Sequence, residues 1–248
     1  MAEESSDHNS IQNLKGVGPK SAASLNNLGI FTIPDAAFHL PFRYEDRSFI
    51  TSISEANYQT PVLIEGEIMK STVVFRGRRM LFSEIYDGTG RLTMRMFNFA
   101  MAQHKALEEG KMIRCFGTIT PGPNGKQMIH PQYQVFEKED SIEVEKNLTP
   151  IYPTTSGLQQ NKLKKIIESS LEFCDKNNLL KEESENRQYS EYGNLLETLK
   201  FLHKPPVETN MSELIEGKHP AQQSLIKEEL IAHMLCAGIL KNELEGRK

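Results

Sequence analysis

The feature that most constrains this chain is a series of strand-like runs between residues 60 and 136. They read VLIEGEIMK (62–70), MLFSEIYD (80–87), RLTMRMF (91–97), KMIRCFGTIT (111–120) and KQMIHPQYQVF (126–136). FRGRR, DGTG and PGPNG break them, and such Gly- and Pro-rich breaks are turn signals. Helix-like NFAMAQHKALEEG (98–110) sits between the third and fourth runs, with Gly110 to end it. In the first run Val62, Ile64 and Ile68 share a face with Gly66, which permits the sharp bend a small barrel needs. Three strands, a helix and two strands is the order of an OB-fold. In that fold, the face of strands 2 and 3 and the loops beside it commonly take oligonucleotides.

The third run carries the chemistry. Side chains along a strand alternate between faces. Leu92, Met94 and Met96 fall on one side, which suits a core; Arg91, Thr93, Arg95 and Phe97 fall on the other. Cations alternating with a ring suit single-stranded nucleic acid, with charge for phosphate and a flat face for a base. Phe97 is therefore expected to be exposed and to stack. Arg76, Arg78 and Arg79 are expected in the loop joining the first two strands, where three cations beside a ligand face point to phosphate contact. Phe75, Phe82, Tyr86 and Phe99 are further rings; core packing is the expected role of Phe82 and Phe99, and Phe99 is kept as a candidate contact. His104 and His130 read as helix surface and barrel wall.

Charge distribution agrees with this placement. The whole chain carries −4, but residues 11–136 hold 14 Lys/Arg against 10 Asp/Glu. The local field, not the total, decides where an anion docks. No run of about 18 apolar residues exists, so no membrane span is predicted. The acidic N-terminus lacks the features of a signal peptide. Three scattered cysteines, Cys115, Cys174 and Cys236, fit a reducing cytoplasm and predict no disulfide framework or metal site.

The flanks read as helical. In residues 11–33, Ile11 and Leu14 precede Gly16-Val17-Gly18; Ala22, Leu25 and Leu28 then recur at helical spacing before Gly29. This predicts a helix–hairpin–helix-like element, whose glycines let N–H groups lie against a phosphate, helped by Lys15 and Lys20. A hairpin that touches no DNA fits the same residues, and the sequence leaves both open. GVGPKS is not a P-loop, which needs G-x-x-x-x-G-K-[ST]. LPFRYEDR (40–47) reads as a fixed loop with internal ion pairs. After an acidic connector and LTPIYPTT, Leu163, Ile166, Ile167, Ser170, Leu171 and Cys174 make one apolar stripe, and Leu195, Leu196, Leu199 and Leu202 another. A last long helix opens at His219-Pro220. The expected fold class is α+β, in three parts: helical residues 1–58, the OB-fold 59–138, and a connector with helices 139–248.

With these residues assembled, the chain resembles the N-terminal region of the RecG family of bacterial ATP-dependent DNA helicases. The resemblance rests on LKGVGPK, LPFRYEDR, GRRM followed by DGTGRLTMRMFNF, MIHPQY, LTPIYPTT, LHKPP and HPAQQSLIKEELIAHML, in that order. It implies that the OB-fold is a wedge that holds the branch point of forks and Holliday junctions, in DNA repair and recombination. Aromatics of the MRMFNF segment would stack on bases, with Phe97 the first choice. Family members often carry two adjacent aromatics there; this chain has Met96-Phe97, so Met96 is either a second base contact through its thioether or core. The family's motor, with its ATP and Mg2+ sites, has no motif in these 248 residues. The chain is thus expected to bind DNA without a cofactor of its own, and to be an N-terminal piece of the helicase. The resemblance also implies two partners, single-strand DNA-binding protein and the motor domains of the parent chain. The rival readings are a stand-alone OB-fold that binds single-stranded nucleic acid or a protein, and a nuclease using Glu84 and Asp87.

Overall fold

The computed structural model describes residues 8–140, 142–180 and 193–245. The chain forms two compact units: Asp46–Lys146 is one, and the segments before and after it make the other.

The Asp46–Lys146 unit is built on six strands. These are β2 (Pro61–Arg76), β3 (Arg78–Tyr86), β4 (Arg91–Met96), β5 (Met112–Gly122), β6 (Gly125–Ile129) and β7 (Gln132–Phe136). A three-residue strand, β1 (Arg43–Glu45), precedes them in the other unit, and a helix, α3 (Met101–Ala106), lies between β4 and β5. Hydrogen bonding runs in the order β2–β3–β4–β6–β5–β7, and β5 also pairs with β2. Only the β4–β6 pair is parallel. The core is where alternation places it: Leu92 and Met94 are fully buried and Met96 is 3% exposed, among Ile64, Ile68, Leu81, Ile85, Ile113 and Ile119. Gly66 answers a close approach. A Cβ there would lie 2.7 Å from the Tyr86 carbonyl oxygen and 2.8 Å from Ile85 Cγ2.

Three expectations are corrected here. FRGRR is not a loop. β2 and β3 form one long hairpin, with Phe75 opposite Arg79, Arg76 opposite Arg78, and Gly77 alone at the tip. Gly77 has φ +74°, a conformation that costs a residue with a Cβ. The run 126–136 is two strands, because His130 turns at φ +49° and Pro131 has no N–H for a ladder. The helix over 98–110 spans only Met101–Ala106.

The other unit is mostly helical. A 3-10 turn at Ile11–Asn13 precedes α1 (Pro19–Asn26). α2 (Ile33–Ala37) starts at a reciprocal cap between Thr32 and Asp35. β8 (Thr149–Ile151) pairs antiparallel with β1. α4 (Gln160–Lys176), α5 (Leu195–His203), α6 (Met211–Ile215) and α7 (Pro220–Glu245) follow. Both predicted apolar stripes are buried, Leu163 to Cys174 on α4 and Leu195 to Leu202 on α5. A buried polar chain ties the elements together. His203 Nε2 lies 2.8 Å from the Ala37 carbonyl, which fixes the proton on Nε2 and leaves Nδ1 to accept from Tyr152 Oη at 2.9 Å. Tyr44 Oη donates to the Leu202 carbonyl at 2.7 Å. In LPFRYEDR, Arg43 and Glu45 pair at 3.3 Å. Among the described residues, no helix is long and apolar enough to cross a membrane.

Candidate nucleic-acid interface

Residues directly opposite across an antiparallel pair share a face. Opposite Arg95 is Phe82, opposite Thr93 is Glu84, and opposite Arg91 is Tyr86. The outer face of β3 and β4 is therefore built from cations and rings together. The Arg78 guanidinium lies 4.4 Å from the Phe97 ring centroid and that of Arg95 4.8 Å, the range of cation–π attraction. Arg95 is also 5.4 Å from Phe82, and its Nη2 is 3.3 Å from Met80 Sδ. Arg95 Nε has no hydrogen-bond partner. Among the described residues, neither Arg78 nor Arg95 is paired with a carboxylate. This leaves two cations held by rings, with their charge unneutralised.

Phe97 is half-buried, not exposed as the alternation suggested. Besides the two guanidiniums, the His130 ring packs on it at 5.5 Å, and the Phe97 N–H donates to His130 Nε2 at 3.2 Å. His130 is the residue that sequence reasoning missed. It is exposed, held in place by its own N–H donating to the Arg95 carbonyl at 2.9 Å. Its one signal was its position before Pro131. Phe82 also departs from expectation, since it lies half-buried on the arginine side rather than in the core.

The remaining candidates separate cleanly. Met96 is on the core side with Leu92 and Met94, turned away from the arginine face. Phe99 packs partly against that core, and Arg79 lies 4.5 Å over its ring, with Nη2 3.2 Å from Met101 Sδ. Arg79 thus projects to the side of the hairpin opposite Arg78. Arg91 is exposed, ion-paired with Glu84 and 5.9 Å from the Tyr86 ring. The side chain of Arg76 lies outside the described residues. Lys15 and Lys20 are exposed in the other unit.

Other chemistries find no support in the geometry. Asp87 is consumed by its turn. It accepts from the N–H groups of Ile53, Thr89 and Gly90 and from the Thr89 hydroxyl. Burial works to raise its pKa, but these bonds together outweigh that and hold the carboxyl below its usual range. With Glu84 bound to Arg91, the two acids do not make a metal-binding pair. Among the described residues, no three His, Cys, Asp or Glu converge to hold a metal. A cleft of about 520 Å3 beside the turn is lined by Glu65, Glu67 and Asp87, but Arg114 holds Glu65 and Lys138 holds Glu67. Gly16–Ser21 does not fit a nucleotide phosphate. Pro19 takes the first helical position without an N–H, and the Ser21 hydroxyl is bound by Lys162.

Residues 10–174 match the RecG wedge domain. The chain is 38% identical over 228 residues to the ATP-dependent DNA helicase RecG of Escherichia coli strain K12, covering 91% of this chain and 32% of that protein. It is 38% identical over 229 residues to RecG of Haemophilus influenzae, again across 91% and 32%. A solved structure of RecG bound to a three-way DNA junction is similar in fold, with a TM-score of 0.70 at 24% sequence identity, over 95% of this chain and 31% of that one. The chain spans about a third of the length of these curated relatives.

Proposed function

Because the chain belongs to the RecG wedge domain family, we propose that it is the branched-DNA-binding N-terminal region of a RecG-like helicase. Forks and Holliday junctions are its substrates in this reading. The circuit of pairings from β2 through β3, β4, β6 and β5 back to β2 supports an OB-type barrel as its scaffold. One observation carries the binding assignment. Arg78 and Arg95 are stacked on Phe97 without a carboxylate partner, on the sheet face where OB-folds take oligonucleotides. Two fixed cations there attract phosphates with little sequence preference, and the ring beneath them offers a base its flat side. ATP- and Mg2+-driven unwinding belongs, on this proposal, to motor domains of the parent chain, and single-strand DNA-binding protein is a further partner.

Fluorescence anisotropy on fork, duplex, single-stranded DNA and RNA tests this. The chain should favour the fork. Phe97→Ala should weaken fork binding by roughly 1–3 kcal/mol, the usual worth of one stacked base, and duplex binding by less. Equal losses on both substrates would refute the stacking role. Equal affinity for all four nucleic acids would refute branch recognition.

A further inference from the structure

The β2–β3 hairpin runs past its neighbours. β4 stops pairing with β3 at Leu81, and β5 stops pairing with β2 at Glu67. Beyond those points the hairpin is a two-stranded ribbon, with no third strand alongside among the described residues. Phe75 stands one residue short of the Gly77 tip, opposite Arg79, and is 75% exposed. No other large hydrophobic side chain described is more exposed. Full exposure of a Phe forgoes about 1.5–3 kcal/mol of burial, so this ring stands in water where a polar residue would cost less.

The surroundings say what covers it. Arg78 and Arg79 follow one another on β3 and point to opposite faces of the ribbon. One is held on Phe97 and the other on Phe99. Those two contacts clamp the ribbon from both sides, so the tip is presented in a fixed position. A preorganised ring loses little freedom on binding. Neither arginine has a carboxylate partner among the described residues, and Phe75, opposite Arg79, shares a face of the ribbon with that unneutralised cation. A ribbon two strands wide is also much narrower than the ~800 Å2 per partner of a stable protein interface. An open ring that shares its face with a cation, on a narrow projection, fits a nucleic-acid base with its phosphate.

We propose that Phe75 is a base-stacking residue, carried at the hairpin tip to meet an unpaired base of the branched DNA. It rests on the nucleic-acid-binding reading above and adds a contact separate from Phe97. Phe97 is already covered by two guanidiniums and the His130 ring, whereas Phe75 is open.

The test uses the absence of tryptophan from this chain. In the full 248-residue protein, Phe75→Trp supplies a single indole whose fluorescence is quenched when a base stacks on it. Fork DNA with a single-stranded arm should quench it, and blunt duplex should do so far less. In parallel, Phe75→Leu, which keeps an apolar side chain but no flat face, should bind the fork roughly 5- to 150-fold more weakly than wild type. Because the ring is exposed, neither variant disturbs the core, and an unchanged circular dichroism spectrum checks that. If wild type binds the fork while the indole emission of the Phe75→Trp variant stays constant and Phe75→Leu binds normally, the inference is overturned and the binding reading stands. If wild type binds no nucleic acid, both fall.

Discussion

The salt dependence of fork binding gives the sharpest test of the arginine face. Each cation that neutralises a phosphate contributes about 0.9 to the slope of log K against log salt on duplex and about 0.7 on single strands. Arg78 and Arg95 are held on rings rather than by acids, so each is free to meet a phosphate. Replacing either by Gln should therefore reduce the slope by about 0.7–0.9. Between 50 and 200 mM salt, that slope change is worth about a 3-fold difference in affinity for each arginine and about 10-fold for the pair. Arg91 is an internal control. Its guanidinium already faces Glu84, and a phosphate must displace that carboxylate, so Arg91→Gln should change the slope less. Arg95→Lys separates charge from stacking, since an ammonium keeps the charge but not the planar contact with Phe82 and Phe97. It should keep the slope and lose affinity at every salt concentration. The assay is anisotropy of a labelled fork across a salt series for each variant. If the Arg78→Gln, Arg95→Gln double variant retains the wild-type slope, the face does not contact phosphate and the site is elsewhere.

Two predictions concern the scaffold. Burial lowers the His203 pKa to about 4, with the Ala37 carbonyl opposing that shift and His39 reinforcing it. The folded value lies below the unfolded one of about 6.5, so the unfolded chain takes up the proton first. Stability from this group is complete above pH 6.5 and is lost as pH falls toward 4. The loss is about 2 kcal/mol by pH 5 and about 3 in full. Urea unfolding followed by helix ellipticity between pH 7.5 and 4.5 should show it, and a His203→Asn variant with an undiminished pH slope would refute the assignment. In the strand unit, Gly66→Ala places a Cβ against the Tyr86 carbonyl and Ile85. It should destabilise that unit by roughly 1–3 kcal/mol; an unchanged urea midpoint would show that β2 and β3 are not so closely apposed.

What was legible in the sequence was whatever has one wet side and one dry side. β4 reads correctly because a one-residue slip would bury Arg95 and expose Met94, so its register is strongly specified. The α4 and α5 stripes are legible for the same reason at helical spacing. The projecting part of the hairpin has no dry side. Ser71, Thr72, Val73 and Val74 do not alternate, and Phe75, Arg78 and Arg79 are exposed, so FRGRR looks like a loop although backbone pairing continues to Arg76–Arg78. The β1–β8 pair was hidden differently. It joins Arg43–Glu45 to Thr149–Ile151, three-residue strands about a hundred residues apart, whose pairing only the surrounding helices enforce. His130 was hidden by its backbone, because a positive φ before a proline leaves no periodic trace.

The hairpin that the sequence concealed alters the meaning of Phe97. Had Arg78 been on a free loop, Phe97 would have carried one guanidinium, that of Arg95, beside the His130 ring. With Arg78 fixed in the ladder beside Gly77, its guanidinium lies on Phe97 together with that of Arg95. On the proposed reading a base at this face finds planar cations as well as the ring, and a guanidinium is itself a stacking surface. In that reading Phe97 also holds two charges flat and in position, at low entropic cost. Phe75, 75% exposed, is the ring proposed to meet a base directly. On these proposals both rings stack, Phe97 beneath its arginines on the sheet face and Phe75 at the tip.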